Sequence, residues 1–215
     1  MGVIKTGTTG NDTLTSTAIG DTLSGGLGND TYVVAHSGVV VQEIYAVIAD
    51  SGLDTIKTSY LDAAGVYSLR SSAYVENLTY TGTLAASLQG NSLANTIQSG
   101  ALNDTIEGGS GDDKLYGNAG DDLISGGTGN DTLNGGTNGT AGDTMAGGYN
   151  DDYYQVNSIS DQVLEGRGQG FDTIESAGII KNLNVGKYVN FEGLVYTGTT
   201  AATLSGNASS NSVVS

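Results

Sequence analysis

The chain has 215 residues, 35 of them Gly and none Pro, Cys or Trp, and carries a formal charge of −16 from 7 basic and 23 acidic side chains. Without cysteine there is no disulfide framework, thiolate zinc site or iron–sulfur cluster, and without proline or a three-residue period there is no collagen. The acidity argues against a nucleic-acid partner, and no apolar run approaches the ~18 residues of a membrane helix or resembles a signal-peptide core.

Glycine at this density means disorder unless its spacing serves a purpose, and here it follows a nine-residue frame. Gly7 to Thr15 opens the frame with Gly10, Asp12 and Leu14, and Ser16 to Ser24 continues it with Asp21 and Leu23. Gly25 to Val33 reads G-G-x-G-x-D-x-U-x, where U is a large apolar residue, with Asp30 and Tyr32 in place. Val34 to Gln42 keeps Val41 without an acid, and Ala49 to Lys57 supplies Gly52, Asp54 and Ile56. Thr58 to Tyr80 breaks the frame and is expected to form a longer strand and a loop closing one side. Thr81 to Gln89 retains Gly82 and Leu88, and Gly90 to Gln98 retains Ile97 with Asn95 at the acid position.

Ser99 to Glu107 restores Asp104 and Ile106. Gly108 to Tyr116 and Gly126 to Asn134 repeat the full string, and Gly117 to Ser125 lies in phase between them with Asn118 replacing the second glycine. Gly135 to Ala146 has three extra residues but keeps Asp143 and Met145. Gly147 to Gln155, Val156 to Leu164 and Arg167 to Glu175 supply Asp152 and Tyr154, Asp161 and Val163, and Asp172 and Ile174. Ser176 to Tyr196 breaks the frame again, Thr197 to Ser205 matches Thr81 to Gln89, and the tail from Leu204 to Val213 resembles Leu88 to Ile97.

The frame predicts six-residue turns and three-residue strands, each strand burying its central apolar residue. One such strand cannot stand alone, but stacked strands bury a continuous core. The expected fold is all-β: a parallel β-roll, a β-helix solenoid with two nonapeptides per coil and two sheets enclosing the apolar ladder. It is expected to run continuously over 1–215, with a first repeat block at 7–57 and an irregular strand and loop at 58–80. The main repeat block is expected at 81–175, and a second irregular segment and the start of a further block at 176–215. A longer repeat overlies the short one, since Val75-Glu76-Asn77-Leu78 resembles Phe191-Glu192-Gly193-Leu194. The chain is therefore expected to be a piece of a longer repetitive protein, with Met1-Gly2 an added start.

Stacking would place Asp113 over Asp131 on one side and Asp104 over Asp122 on the other. Like charges repel by ~1 kcal/mol at 4 Å even in bulk water, and several-fold more near a protein surface. From Asn103 to Asp152 there are ten acids and one base, Lys114. Such turns call for a hard, oxygen-seeking cation. Calcium accepts 6–8 oxygen ligands in loose geometry, whereas magnesium demands a stricter octahedron and zinc or copper prefer nitrogen and sulfur.

In these residues the chain resembles the repeats-in-toxin (RTX), or haemolysin-type, calcium-binding repeat family of secreted bacterial proteins. The motifs are strongest at Gly25 to Val33 and Ser99 to Asn134. The resemblance implies calcium between stacked turns and an extracellular, possible cell-surface, location reached by type I secretion. It also implies repeats that stay unfolded until they meet calcium. Carried over by position, the metal ligands would be Asp12, Asp30, Asp104, Asp113, Asp122, Asp131, Asp143 and Asp152. Asp21, Asp54, Asp161 and Asp172 would join them from degraded turns. The carbonyls of Gly28, Gly109, Gly111, Gly120, Gly127 and Gly129 would complete the shells. Ala86, Asn95, Ala202 and Asn211 stand at the acid position, so those turns are expected to hold no metal, and the family's C-terminal export signal is missing.

Several other residues have two readings. The pairs Asp112-Asp113, Asp121-Asp122 and Asp151-Asp152 could suggest a glycosidase, but the repeat accounts for them, with the second acid a ligand and the first facing solvent. His36 lacks a triad context and reads as a surface or loop residue. Glu43 and Glu165, at matching places, are either extra metal ligands or partners of Lys57 and Arg167. Tyr149, Tyr153 and the region from Tyr45 to Tyr60 could stack sugars. The third turn position varies too much for an ice-binding ladder. No catalysis is expected, nor any membrane insertion. The expected function is a calcium-binding, calcium-dependent folding module, whose partners are calcium ions and the rest of a larger parent chain. The alternatives are a β-roll binding polysaccharide or cell-surface matrix, and the repeat region of a secreted lipase, protease or glycanase whose catalytic part lies elsewhere.

Overall fold

A computed structural model of the protein describes residues 2–43, 52–72, 74–138, 141–176, 190–198 and 212–214. Among them every pairing between strands is parallel. One long wall is built, in order, from Thr13–Thr15, Thr31–Val34, Thr55–Thr58, Asn77–Tyr80, Thr96–Gln98, Lys114–Tyr116, Thr132–Asn134, Tyr153–Val156, Thr173–Ser176, Gly193–Tyr196 and Ser212–Val214. The opposite wall has two parts. Ile4–Thr6, Thr22–Ser24 and Val40–Gln42 form the first, and Val66–Ser68, Ser87–Gln89, Thr105–Ser110, Leu123–Thr128, Thr144–Tyr149 and Gln162–Leu164 form the second. Apart from the short strands Ala119–Gly120 and Thr137–Asn138, which pair with each other, the chain alternates between the walls from Ile4 to Ser176, so each of those coils takes one strand from each. This is the all-β parallel β-roll expected from the frame.

The register follows the nonapeptide. Ile97 pairs with Leu115 and Leu115 with Leu133, a step of two repeats. Opposite them, Leu88 pairs with Ile106, Ile106 with Ile124, and Ile124 with Met145. All these side chains are fully buried in one continuous cluster. Each contributes on the order of 1.5–3 kcal/mol by leaving water, which no three-residue strand could gain without the coils above and below. At the first rung of the opposite wall the inward position holds Lys5, whose ammonium donates to the Thr15 carbonyl and to Thr17 Oγ1 at 3.1 Å.

Two features depart from the expected geometry. The first is Thr58 to Tyr80, which keeps the alternation instead of closing a side. Tyr67 pairs in register with Leu88, and Leu78 sits between Ile56 and Ile97 on the long wall. This coil makes its bends without the glycine-rich turn. Asp62 Oδ1 accepts the N–H groups of Ala64 and Val66 at 2.8 and 2.9 Å, and a 3₁₀ turn at Leu69–Ser71 buries Leu69. Second, strands do not stop where the glycines begin. Gly109 pairs with Gly127 and Gly127 with Gly148, so the turns are themselves laddered. A Cβ on Gly127 would lie 2.1 Å from the Gly109 carbonyl oxygen, too close for any side chain. The second frame break falls largely outside the described residues, which take it up again at Asn190.

Candidate metal centre

Each described sixth-position residue precedes a strand, and in most the backbone N–H points along the solenoid axis toward the next coil, while that of Asp161 turns back to the Ser158 carbonyl at 3.2 Å. In the long-wall turns, Asp12 donates to Asp30 Oδ1 and Asp30 to Asp54 Oδ1, both at 2.7 Å. Asn95 donates to Asp113, Asp113 to Asp131, and Asp131 to Asp152, at 2.7–2.8 Å, and Asp152 to Asp172 at 3.0 Å. Across the solenoid, Ala86 donates to Asp104, Asp104 to Asp122 and Asp122 to Asp143, at 2.7–2.9 Å, and Asp143 to Asp161 at 3.1 Å. Two files of stacked carboxylates result, with Asp113 beside Asp131 and Asp104 beside Asp122 in register.

The ladder consumes one oxygen of each carboxylate except that of Asp12, which starts its file, and Oδ2 divides the aspartates into two groups. In the first, the residue's own turn satisfies it. Asp12 Oδ2 accepts from the Thr8 N–H at 2.6 Å and Asp104 Oδ2 from the Gly100 N–H at 2.9 Å. Asp21 Oδ2 accepts from Thr17 and Ala18, and Asp161 Oδ2 from Asn157 and Ser158. In the second group, Oδ2 of Asp30, Asp54, Asp113, Asp122, Asp131 and Asp152 is buried with no hydrogen-bond partner. A buried orphan oxygen of this kind costs about 1–3 kcal/mol, and more when charged. Of the remaining two aspartates, Asp143 donates in the ladder and Asp172 accepts in it.

The electrostatics follow the same division. Burial pushes the carboxyls of Asp54, Asp113 and Asp122 up to about 7, Asp131 to about 6 and Asp152 to about 8, with stacked acids adding in the same direction. The Thr8 N–H holds Asp12 below the usual carboxylate range, and the Val3 N–H does the same for Asp21. These five carboxyls gain no compensating positive charge from the chain, whereas backbone N–H groups favour the charged form of Asp12 and Asp21.

Glycine shapes the space around the orphan oxygens. A Cβ on Gly108 would lie 2.3 Å from Asp113 Oδ2 and 2.7 Å from the Gly126 carbonyl oxygen, and Gly117 and Gly126 stand the same way to Asp122 and Asp131. What fills that place in any other residue is here a cradle lined by carboxylate and carbonyl oxygen, the donor set that calcium prefers. Gly28, Gly109, Gly111, Gly120, Gly127 and Gly129 all have positive φ, between 100° and 133°.

Sequence reasoning missed two members of the long-wall file. The Asp54 N–H donates to Glu76 Oε2 at 2.9 Å and the Asp172 N–H to Glu192 Oε2 at 3.1 Å, so both glutamates stand where aspartate stands elsewhere. The signal was present as an acid two residues before a buried Leu, in Glu76-Asn77-Leu78 and Glu192-Gly193-Leu194. Of the two readings of Glu43 and Glu165, the structure brings them to carboxylates. Asp30, Glu43 and Asp54 form one cluster and Asp152, Glu165 and Asp172 another, each with one oxygen per residue within 4.8 Å of the others.

The first acids of the pairs point outward but are not idle. Asp112 Oδ1 accepts the Asn130 N–H at 2.8 Å and Asp151 Oδ1 the Phe171 N–H at 2.7 Å, forming an outer ladder at position five. His36 Nδ1 lies 3.3 Å from Ser16 Oγ. Tyr149 is exposed and Tyr153 half-buried. Tyr45, Ala202, Leu204 and Asn211 lie outside the described residues. Asn95 accepts the Asn91 N–H and donates to backbone carbonyls, filling its turn with neutral hydrogen bonds.

No curated protein matches the chain. The sequence profile of the RTX calcium-binding nonapeptide repeat matches it four times, over residues 6–34, 89–124, 98–133 and 108–145. Those matches span turns of both carboxylate files, and in them the chain carries the repeats of the RTX calcium-binding family.

Proposed function

We propose that this chain is a calcium-dependent folding module of a larger secreted or cell-surface bacterial protein and has no catalytic role of its own. The observation that carries the reading is the set of six buried Oδ2 atoms without a partner. Asp30, Asp54, Asp113, Asp122, Asp131 and Asp152 would hold the ions together with turn carbonyls, and the self-satisfied Asp12, Asp21, Asp104 and Asp161 would serve the ladder alone.

Bound calcium would supply the positive charge and the oxygen-seeking coordination that these turns lack. The chain supplies the rest. Position-six N–H groups fix one carboxylate oxygen, the glycines leave the second facing a cradle, and closing the turns sets the register in which the apolar ladder is buried. A ligand that binds only the folded state stabilises it by about 2.7 kcal/mol per site at a hundredfold excess over Kd. Sites of the extracellular type bind at ~10⁻⁴–10⁻³ M, so the module would be open inside a cell and closed outside.

Far-UV circular dichroism during a calcium titration tests this, with magnesium as control. The expected result is a largely disordered metal-free chain that gains β signal cooperatively with calcium. A chain equally folded in chelator would defeat the proposal.

A further inference from the structure

We propose that the two three-carboxylate clusters, Asp30–Glu43–Asp54 and Asp152–Glu165–Asp172, are a second and tighter class of calcium site than the paired-aspartate turns. The inference rests on the calcium reading above and adds to it which sites fill first.

Glu43 follows Gln42, which pairs with Ser24, and Glu165 follows Leu164, which pairs with Ala146. In register, each glutamate therefore takes the place of a first turn glycine, Gly25 or Gly147. At those glycines no side chain fits: a Cβ on Gly147 would lie 2.0 Å from Asp152 Oδ2 and 2.4 Å from the Tyr154 hydroxyl oxygen. The coils that accept a glutamate there are longer. Ile56 pairs with Tyr32 and Ile174 with Tyr154, steps of more than two repeats, against the two-repeat step from Leu115 to Leu133. In both coils this glutamate brings a third carboxylate to the two stacked aspartates.

The clusters face buried oxygens that need a cation. Asp30, Asp54, Asp152 and Asp172 are at most 2% exposed, and Oδ2 of Asp30, Asp54 and Asp152 has no partner. The same two coils place tyrosine at the core position. The Gly25 N–H donates to the Tyr32 hydroxyl at 2.7 Å and the Gly147 N–H to the Tyr154 hydroxyl at 2.5 Å, while the Tyr154 hydroxyl donates to Glu165. The paired-aspartate turns around Asp113 and Asp131 have Leu115 and Leu133 at the same position, with no hydroxyl to aim a ligand. Three carboxylates against two raise the ligand charge, which together with site rigidity sets calcium affinity in oxygen cages.

The adjoining tyrosines make these sites optically distinct, because tyrosine sensitises bound terbium only at short range. Terbium titration of the full chain, exciting tyrosine, should show an early phase of about two ions. The double variant Glu43→Gln/Glu165→Gln should shift that phase roughly tenfold or more to higher terbium, and each single variant should remove about half of it. Asp113→Asn/Asp131→Asn should leave the early phase in place and weaken the later one. An early phase unchanged in both single variants would overturn the proposal, even if calcium still induced β structure. A chain that gained no β signal with calcium would instead defeat the broader reading.

Discussion

Asp104 and Asp122 occupy the same repeat position one coil apart, yet they face different chemistry. The Gly100 N–H satisfies the second oxygen of Asp104, and nothing satisfies that of Asp122. Asp122→Asn should therefore move the midpoint of the calcium titration several-fold upward, whereas Asp104→Asn, which keeps an acceptor oxygen for the ladder, should move it little. Circular dichroism titrations of the two variants side by side check this, and equal shifts would contradict the division of the aspartates. By the same argument Asp113→Asn and Asp131→Asn should each weaken the response more than Asp112→Asn. Asp112 uses its Oδ1 for the Asn130 N–H, and an asparagine can accept that bond as well. The repeat shows an acid in all these positions. It could not show which acid is already satisfied, because that depends on whether the first turn residues donate N–H groups back to it.

A single strand of this protein is two to six residues long and owes its stability to its neighbours. Leu115→Ala in the calcium-saturated chain should cost about 2–5 kcal/mol in chemical unfolding, as a buried Leu removed from a closed core does. Gly108→Ala should weaken calcium binding more than core stability, because its Cβ would enter the cradle beside Asp113 Oδ2 rather than the apolar ladder. A calcium titration and a urea melt of the same variant separate the two effects. At this scale the apolar period predicted the strands well: Leu14, Tyr32, Ile97, Leu115, Leu133 and Tyr154 all lie at paired central positions of the long wall. It missed the coil from Thr58 to Tyr80, because Asp62 with the single glycine Gly65 and a 3₁₀ turn make the bends there, without the glycine string of the repeat.

For the whole molecule, the stacked carboxylates make stability depend on pH with a definite sign. The buried aspartates Asp54, Asp113, Asp122, Asp131 and Asp152 stand at about 6 to 8 in the folded chain, against ~4 when unfolded. The folded state then binds more protons between those values, so metal-free stability is greatest below about pH 4 and is lost as the pH rises through about 8. Calcium competes with those protons, so its binding should release protons near neutrality and its midpoint should fall as the pH rises from 6 to 8. Calcium titrations followed by circular dichroism at pH 6, 7 and 8 check this, and a midpoint that does not move with pH would contradict it. The sequence by itself determined the parallel β-roll, its two-repeat step and the stacking of acids at the turns, because all three follow from a period that any stacked arrangement must respect. Only the tertiary structure decided which carboxylates lack a partner, that Glu76 and Glu192 complete the file, and that Glu43 and Glu165 join it. Those facts depend on which residues become neighbours one coil away, and coils of unequal length erase that register from the linear sequence.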